Sequence, residues 1–80
     1  MLVTIKYFGQ LVEITNKTQE SFSVETDTCN LENIEKAILN KYPNLNNTTY
    51  NIAVNQKIEN KTFSVKEGDE LAFLPPFAGG

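Results

Sequence analysis

The chain contains no histidine and only one cysteine, Cys29. Without histidine, it cannot build a Cys/His zinc site or a histidine-activated nucleophile from its own residues. A single cysteine excludes an internal disulfide framework, and this predicts a protein of the reducing cytoplasm. A self-contained zinc protein of this kind and an enzyme with its own histidine-based triad are therefore excluded.

Arginine is also missing, since all seven cationic side chains are lysines, and the net charge is −3. Arginine is the side chain best suited to bidentate phosphate recognition, and an acidic chain is repelled by a nucleic-acid backbone. We therefore expect no nucleic-acid partner and a protein partner with a basic surface. No signal-peptide pattern and no apolar run of membrane-spanning length occurs, so we expect no membrane partner.

The length of 80 residues is enough for one small domain, with 40% hydrophobic and 21% charged residues as in an ordinary globular protein. A domain of this size buries only about 60% of the surface that its unfolded chain exposes. A closed active site is hard to build within so small a body. Chemistry carried by this chain is therefore expected to depend on a partner.

Alternating apolar residues indicate the first two strands. Val3, Ile5 and Tyr7 are separated by polar residues, which predicts a half-buried strand over residues 2–8. A second alternation over residues 21–25 predicts a strand that pairs with the first as a hairpin, after a polar turn.

One segment has the period of an amphipathic helix. Asn30 is a favourable N-cap because its side-chain oxygen can accept from the free amides of the first turn. Apolar residues then recur at helical spacing, at Leu31, Ile34, Ala37 and Ile38. Pro43 disfavours helical geometry at the preceding residue, so the helix is expected to end near Lys41.

The second half of the chain carries further short strands separated by turns. We expect a polar loop over residues 44–49, then a strand over 50–54, a turn at 55–56 and an edge strand over 57–60. The side chains of Phe63 and Val65 are expected to be buried. A tight turn over residues 66–69 then leads into a final strand over 71–74. Gly68 supplies the unusual backbone angle of the tight turn. Pro75 and Pro76 end the final strand because neither can donate to a ladder.

The predicted order is two strands, a helix, and two or three strands. A single helix packed across a mixed sheet is the economical way to bury the helical stripe. This order is that of the α+β ubiquitin-like β-grasp fold, with a mixed sheet of four to five strands and one main helix. We predict one domain over residues 1–76 and a flexible tail over residues 77–80.

The tail has the composition of a stiff stem with a thin tip. Pro75 and Pro76 favour extended geometry, and the six residues from Pro75 onwards reach roughly 20 Å at about 3.3 Å each. Gly79 and Gly80 have no side chains and can enter a narrow channel. A terminal carboxylate needs activation by ATP before it reacts, and the chain has no phosphate-binding glycine loop. The activating machinery is therefore expected in a partner.

Three segments carry a resemblance to a known family. They are residues 6–11 (KYFGQL), residues 53–56 (AVNQ) and residues 68–80 (GDELAFLPPFAGG). In these segments, and in the order of its elements, the chain resembles the molybdopterin synthase small subunits, the MoaD-like sulfur carriers. The likeness covers nearly the whole chain, and its last thirteen residues are the most specific part.

The resemblance implies a function and its partners. An E1-like adenylating enzyme would use ATP to activate the carboxylate of Gly80, and a sulfur relay would convert it to a thiocarboxylate, with Gly79 as its thin neighbour. The tail would then enter the molybdopterin synthase large subunit, in a heterotetramer of two small and two large subunits, and donate sulfur to cyclic pyranopterin monophosphate. This chain would be the non-catalytic, sulfur-donating subunit of the sulfurtransferase, and it would bind no cofactor itself.

A docking patch is predicted at the root of the tail. Phe8 and Leu74 are apolar, yet strand alternation places both on the outward side of the sheet, and exposed apolar patches often bind partners. The expected partner-binding residues are Phe8, Leu74, Pro75, Pro76, Phe77 and Ala78.

Other interpretations stay open at this point. The chain could be a sulfur carrier of thiamine synthesis or of tRNA thiolation, or a β-grasp interaction module with an inert tail. Cys29 is interpreted as a small loop residue rather than a redox thiol. Three carboxylates, Glu67, Asp69 and Glu70, are interpreted as a solvated rim that pairs with lysines of a partner.

Overall fold

Residues 1–76 are described by a computed structural model, so the predicted tail of residues 77–80 lies outside the described residues. The strands of this part are β1 (Leu2–Tyr7), β2 (Gln19–Ser23), β3 (Thr28–Asn30), β4 (Asn51–Val54), β5 (Lys57–Ile58), β6 (Ser64–Lys66) and β7 (Glu70–Leu74). The helices are α1 (Gln10–Thr15), α2 (Leu31–Lys41) and a 3₁₀ helix (Pro43–Asn47).

A mixed sheet of five strands in the order β2-β1-β7-β4-β5 forms the body of the fold. β1 and β7 pair in parallel at its centre, whereas the pairs β1–β2, β4–β7 and β4–β5 are antiparallel. β3 and β6 form a separate two-stranded ladder. The prediction of a mixed sheet with one main helix is confirmed.

The core lies between the sheet and α2. Alternate residues of the central strands point to the same face of the sheet, and α2 covers that face with its apolar stripe. Phe73 of β7 is fully buried, and the centroid of its ring lies 5.7 Å from that of Tyr7 and 5.1 Å from that of Tyr50. The larger buried side chains around them include Val3, Ile5, Leu11, Leu31, Ile34, Ile38, Leu45, Val65 and Leu71.

The first turn of α2 differs from the prediction in how it is capped. Asn30 occupies the N-cap position, but its side chain makes no capping hydrogen bond. Instead, the backbone N–H of Leu31 donates to the carbonyl of Phe63 at 2.9 Å, and that of Glu32 donates to the carbonyl of Lys61 at 3.0 Å. The free amides of a helix start need acceptors, and here a distant backbone segment supplies them.

The short helix α1 is a feature that the sequence pattern did not predict. It stands between β1 and β2, in place of an extended connection, and it buries Leu11 and Thr15. These two residues are four apart and therefore share one face of the helix. Six residues are too few for helical periodicity to stand out in the sequence. β2 consequently begins at Gln19, two residues earlier than predicted.

The predicted polar loop before β4 is likewise a 3₁₀ helix in part, with Leu45 fully buried. Elsewhere the turn prediction holds, since Asn55 and Gln56 both have positive φ angles and connect β4 to the two-residue edge strand β5. Gly68 has a φ of 83° in the turn before β7, as the tight turn requires.

Glu20 forms a polar cluster that ties β2 to the end of α2. Its Oε2 accepts hydrogen bonds from the hydroxyls of Tyr7 at 2.6 Å and Tyr42 at 2.8 Å. Its Oε1 contacts the ammonium groups of Lys41 at 2.6 Å and Lys17 at 3.2 Å. Burial opposes ionisation of this carboxyl, but the hydrogen bonds outweigh that effect and lower the pKa of Glu20 to about 2.

A second buried carboxylate, that of Glu35, joins α2 to the segments that flank β4 and β5. The hydroxyl of Tyr50 donates to Glu35 at 2.6 Å, and Lys61 forms an ion pair with Glu35. Burial, together with the hydrogen bond to Glu35, raises the pKa of Tyr50 above its usual range. None of the helices among residues 1–76 is both long enough and apolar enough to cross a membrane.

We predict that Phe73→Ala lowers the free energy of unfolding by about 3–5 kcal/mol, because it leaves a cavity at the centre of the core. Urea denaturation followed by circular dichroism measures this change. Phe8→Ala is the matched control, since it removes the same side chain from a site that is 43% exposed. The control should change the stability by at most about 0.5 kcal/mol. Equal losses in the two variants would contradict this description of the core.

The Glu20 cluster predicts a stability that depends on pH. The folded-state pKa of about 2 lies below the ordinary value of 4.5, so the stabilisation is present above pH 4.5 and is lost as the pH falls through the folded-state value. The melting temperature of the natural chain should therefore fall between about pH 5 and about pH 2, and that of Glu20→Gln should fall less. Glu13→Gln, which alters an exposed carboxylate of α1, should follow the natural chain. Parallel curves for the natural chain and Glu20→Gln would disprove the assignment.

Candidate docking face and the root of the tail

The two central strands end at the same edge of the sheet because they run in parallel. Tyr7 pairs with Phe73 near the ends of β1 and β7. The next backbone N–H, that of Phe8, donates to the carbonyl of Phe73 at 3.2 Å. The parallel ladder thus places Phe8 beside Leu74, where β7 ends and the tail begins.

Phe8 and Leu74 line one groove of about 390 Å³ on the face of the sheet that points away from α2. Phe8 is 43% exposed, and Leu74 is half-buried. The structure therefore brings the two predicted docking residues together. Their role in binding a partner stays a prediction.

The floor of this groove is a row of residues that crosses four strands. The ladder registers pair Ile58 with Ala53, Ala53 with Ala72, and Ala72 with Lys6. Ile58 is 56% exposed and extends the apolar surface to the edge strand β5. Sequence reasoning missed it, although an apolar residue two positions after the Asn55–Gln56 turn was a usable signal, because hairpin register follows from the turn.

Charged groups border one side of the groove. Lys6 and Glu70 form an ion pair at 3.2 Å, with both side chains about one-third exposed. Glu70, predicted to belong to a solvated acidic rim, is thus neutralised within the chain. The groove therefore offers a partner mainly apolar surface.

Asp69 departs from the predicted solvated rim because it is buried. Its carboxylate accepts from the side-chain amide of Asn55 at 3.0 Å and from the backbone N–H of Lys66 at 2.9 Å. Burial opposes ionisation, but these two hydrogen bonds lower the pKa of Asp69 below its usual range. Asp69 is a structural residue that joins the β4–β5 turn to the β6–β7 turn. Glu67 is exposed and accepts the backbone N–H of Leu2 at 2.8 Å.

The root of the tail is held against the end of β1. Gly9 has a φ of 58°, and a Cβ at this position would lie 2.9 Å from Cγ of Pro75. A glycine here leaves room for the proline ring, so Pro75 sits half-buried beside Gly9 while Pro76 is exposed. The other predicted tail residues, Phe77, Ala78, Gly79 and Gly80, lie outside the described residues.

Cys29 lies in β3 opposite Val65 and is half-buried against the core, so the prediction of a loop position is wrong. It is not among the residues that line the groove of Phe8 and Leu74. Within residues 1–76, no group of three or more histidine, cysteine, aspartate or glutamate side chains is arranged to hold a metal ion.

The chain is similar to known proteins both in sequence and in fold. The ThiS family matches residues 5–80. The chain is 35% identical over 81 residues to the molybdopterin synthase sulfur carrier subunit of Mycobacterium tuberculosis, and the alignment covers 98% of this chain and 96% of that protein.

Solved structures with a similar fold come from archaea and bacteria. The putative molybdopterin converting factor subunit 1 of Pyrococcus furiosus has a TM-score of 0.88 at 18% identity, covering 96% of this chain and 99% of that one. The small archaeal modifier protein 1 of Haloferax volcanii has a TM-score of 0.84 at 21% identity, with full coverage of both chains. These two likenesses confirm the predicted ubiquitin-like β-grasp fold.

A third structure is a complex of subunits 1 and 2 of the molybdopterin-converting factor of Helicobacter pylori. It matches with a TM-score of 0.72 at 25% identity, and the match covers 100% of both chains. In that complex a protein of this fold is assembled with a second subunit.

We predict that Phe8→Asp and Leu74→Asp each weaken binding to the partners that the resemblance implies, an activating enzyme and a large subunit, by about tenfold or more, the scale of an interface hot spot. An aspartate in the groove would bury an unpaired charge on docking. Leu2→Asp is the matched control, because Leu2 is an equally exposed apolar residue of β1, at 50%, that does not line the groove. Isothermal titration calorimetry measures the affinities, and unchanged values for both groove variants would show that this surface is not the docking site.

Proposed function

Because the chain belongs to the ThiS family, we propose that it is the sulfur carrier subunit of a molybdopterin synthase. The observation that carries the proposal is its full-length similarity to the Mycobacterium tuberculosis sulfur carrier subunit. The Pro75–Pro76 stem and the Gly79–Gly80 terminus support it, since they are the parts of the sequence suited to delivering a carboxylate. The complex formed by the Helicobacter pylori relative supports a large-subunit partner.

Activation takes place on the carboxylate of Gly80. A carboxylate oxygen attacks the α-phosphate of ATP and releases pyrophosphate, which leaves an acyl-adenylate. A sulfide-equivalent donor then attacks the acyl carbon and displaces AMP, so that the terminus becomes a thiocarboxylate. The E1-like partner binds ATP and supplies the catalytic groups, and a separate sulfur relay supplies the sulfur, because this chain has no histidine and no phosphate-binding loop.

Transfer takes place in the catalytic pocket of the large subunit. The thiocarboxylate sulfur forms a bond to a carbon of cyclic pyranopterin monophosphate as a carbon–oxygen bond of that carbon breaks, which leaves a thioester between the pterin and Gly80. Water then attacks the acyl carbon of Gly80 and cleaves its bond to sulfur, so that the sulfur stays on the pterin and the Gly80 carboxylate is returned. Two such transfers supply the two sulfur atoms of the dithiolene. The assembly we propose contains two small and two large subunits, and the small subunit contributes the reacting sulfur but no catalytic side chain.

The body of the domain has a separate task, which is to aim the tail. The groove lined by Phe8, Leu74 and Ile58 docks on the partner, and the seat of Pro75 beside Gly9 fixes where the tail leaves that surface. Holding a reacting group in place contributes strongly to rate, and an error of about 1 Å is costly. Pro75 directly follows the groove residue Leu74, and its contact with Gly9 holds the start of the tail in a fixed position relative to the docked surface.

A second candidate uses the same activated carboxylate with a different acceptor. The ThiS family match is compatible with a sulfur carrier for thiamine synthesis or tRNA thiolation. The two candidates differ in the enzyme that consumes the thiocarboxylate. Sulfur transfer to cyclic pyranopterin monophosphate by the purified large subunit is the measurement that separates them.

We predict that incubation with ATP, a sulfur source and the cognate activating enzyme raises the mass of the chain by the difference between one sulfur and one oxygen atom. Fragmentation in the mass spectrometer should place this change on Gly80. Addition of one residue after Gly80 should abolish the modification, because the new terminus no longer meets the adenylating centre. Deletion of residues 78–80 should abolish it as well and leave the melting temperature nearly unchanged.

Sulfur found on Cys29 would refute the assignment of Gly80. So would an unmodified chain in the presence of an activating enzyme that modifies its own natural carrier. Either result would rule out a carrier that works through a Gly80 thiocarboxylate, and the unmodified chain would be an interaction module.

A further inference from the structure

The outer edge of β2 carries backbone groups that pair with no other strand of residues 1–76. In this part of the chain, β2 ends the sheet and pairs with β1 on one side. The backbone N–H of Val24 donates to Met1, and that of Tyr7 donates to the carbonyl of Thr18, so even-numbered residues face β1. Because neighbouring residues of a strand direct their backbone groups to opposite sides, those of Gln19, Ser21 and Ser23 point away from the sheet. Proline and lysine, which commonly block such edges, are absent from β2.

An apolar groove of about 380 Å³ runs beside this edge, between β2 and α2. Phe22 and Val24 form one wall, Ile34 and Ala37 of α2 form the other, and Cys29 lies between them. A strand added to β2 would direct every second side chain into this groove and the others to the outer, polar face of Ser21 and Ser23.

The rim of the groove is acidic. Glu25 lines it, and Asp27 follows two residues later, with both side chains exposed. The terminal ammonium of Met1 donates to the backbone carbonyls of Val24 and Thr26 beside this rim. The salt bridges among residues 1–76 nevertheless involve neither carboxylate, and no lysine lines the groove. A basic side chain is the group that would complement this rim.

The groove lies at the far end of β1 from the root of the tail. The backbone N–H of Val24 donates a hydrogen bond to the carbonyl of Met1, just before the start of β1. Phe8 and Pro75 lie beyond the other end of β1. The six residues of β1 separate the two regions by about 20 Å. The two surfaces can therefore be occupied at the same time.

We infer that β2 and the adjoining groove form a second docking site, for an extended segment of a partner protein. The segment adds a strand to β2, places apolar side chains at alternate positions in the groove, and sets a lysine or arginine beside Glu25 and Asp27. A partner bound there holds the carrier while its tail is engaged elsewhere. The inference is independent of the chemistry at Gly80.

A second copy of this chain fits the site less well. If two copies of β2 paired in antiparallel fashion about Ser21, Thr18 and Glu20 of one copy would lie beside Val24 and Phe22 of the other. Both are polar, and Glu20 is already held by two tyrosines and two lysines. The apolar groove would stay unfilled, so an apolar and basic segment is the better occupant.

The test uses a capped peptide of about eight residues, in which valine alternates with serine and a lysine stands at each end. Titration into the full chain should shift the amide resonances of β2 and of the Ala37 region, and should slow the reaction of Cys29 with a thiol reagent. A peptide with glutamate in place of lysine should bind about two- to fivefold more weakly, and this difference should shrink as salt is added. Methylation of alternate backbone nitrogens should abolish binding, because it removes the strand hydrogen bonds.

Variants of the chain sharpen the test. Ser21→Pro removes an outward N–H and leaves the bonds of β2 to β1, and it should abolish binding. Ala37→Glu places a charge in the groove and should also abolish binding, so it replaces Ser21→Pro in the test if that variant does not fold. Glu25→Lys should weaken binding two- to fivefold, by about the strength of one exposed ion pair. Phe8→Asp, in the other groove, should bind the peptide as the natural chain does.

Three results would overturn the inference. The first is no saturable shift at β2, or binding that neither Ser21→Pro nor Ala37→Glu reduces. The second is a set of shifts centred on Phe8 and Leu74. The third is a concentration-dependent dimer through β2 in the absence of peptide, which would assign the edge to self-pairing.

Discussion

The parallel pairing of β1 with β7 places both ends of the described chain at the centre of the sheet. Its register sets Tyr7 against Phe73 on the buried face and brings Phe8 to Leu74 on the other. The positions of the core, of the groove lined by Phe8 and Leu74 (the outer groove) and of the root of the tail all follow from this one ladder. A shift of one residue would send Phe73 to the outer face and the groove residues into the core.

Buried carboxylates hold the layers around this ladder. Glu20 joins β2 to the end of α2, and Glu35 joins α2 to Tyr50, just before the start of β4. Asp69 joins the β4–β5 turn to the β6–β7 turn. A buried charge costs several kcal/mol unless donors surround it, and each of these three accepts at least two hydrogen bonds. Among residues 1–76, no fully buried side-chain nitrogen or oxygen lacks a hydrogen-bond partner. In a domain with so small a core, such clusters fix the position of the helix on the sheet.

Much of the fold was predictable because its signals are local. The alternation in β1 and β7, the amphipathic stripe of α2 and the glycine of the last turn are each visible within a few residues. The β-grasp order followed from these elements, and the central position of β1 and β7 follows from that fold.

The features that could not be predicted from the sequence depend on contacts between residues that are far apart in the chain. The start of α2 is capped by the backbone at Lys61 and Phe63, which no local pattern indicates. Glu20 resembles any other strand glutamate until Tyr42 is placed beside it. Ile58 joins the outer groove only through the β4–β5 register. At the candidate site, Phe8 and Leu74 could be predicted from alternation, whereas the seat of Pro75 on Gly9 could not.

The same ladder also sets the order of events during synthesis. β1 is made before the other strands of this sheet, whereas its central partner β7 is the last of the elements described among residues 1–76. The sheet therefore cannot close until the chain has been made through Leu74, and contacts between such distant segments slow folding. A product that stops short of β7 loses the centre of its sheet, and with it the core and the outer groove. Completion of the C-terminal strand is thus a condition for presenting a docking surface, so this fold couples recognition by partners to the presence of the segment that leads into the tail.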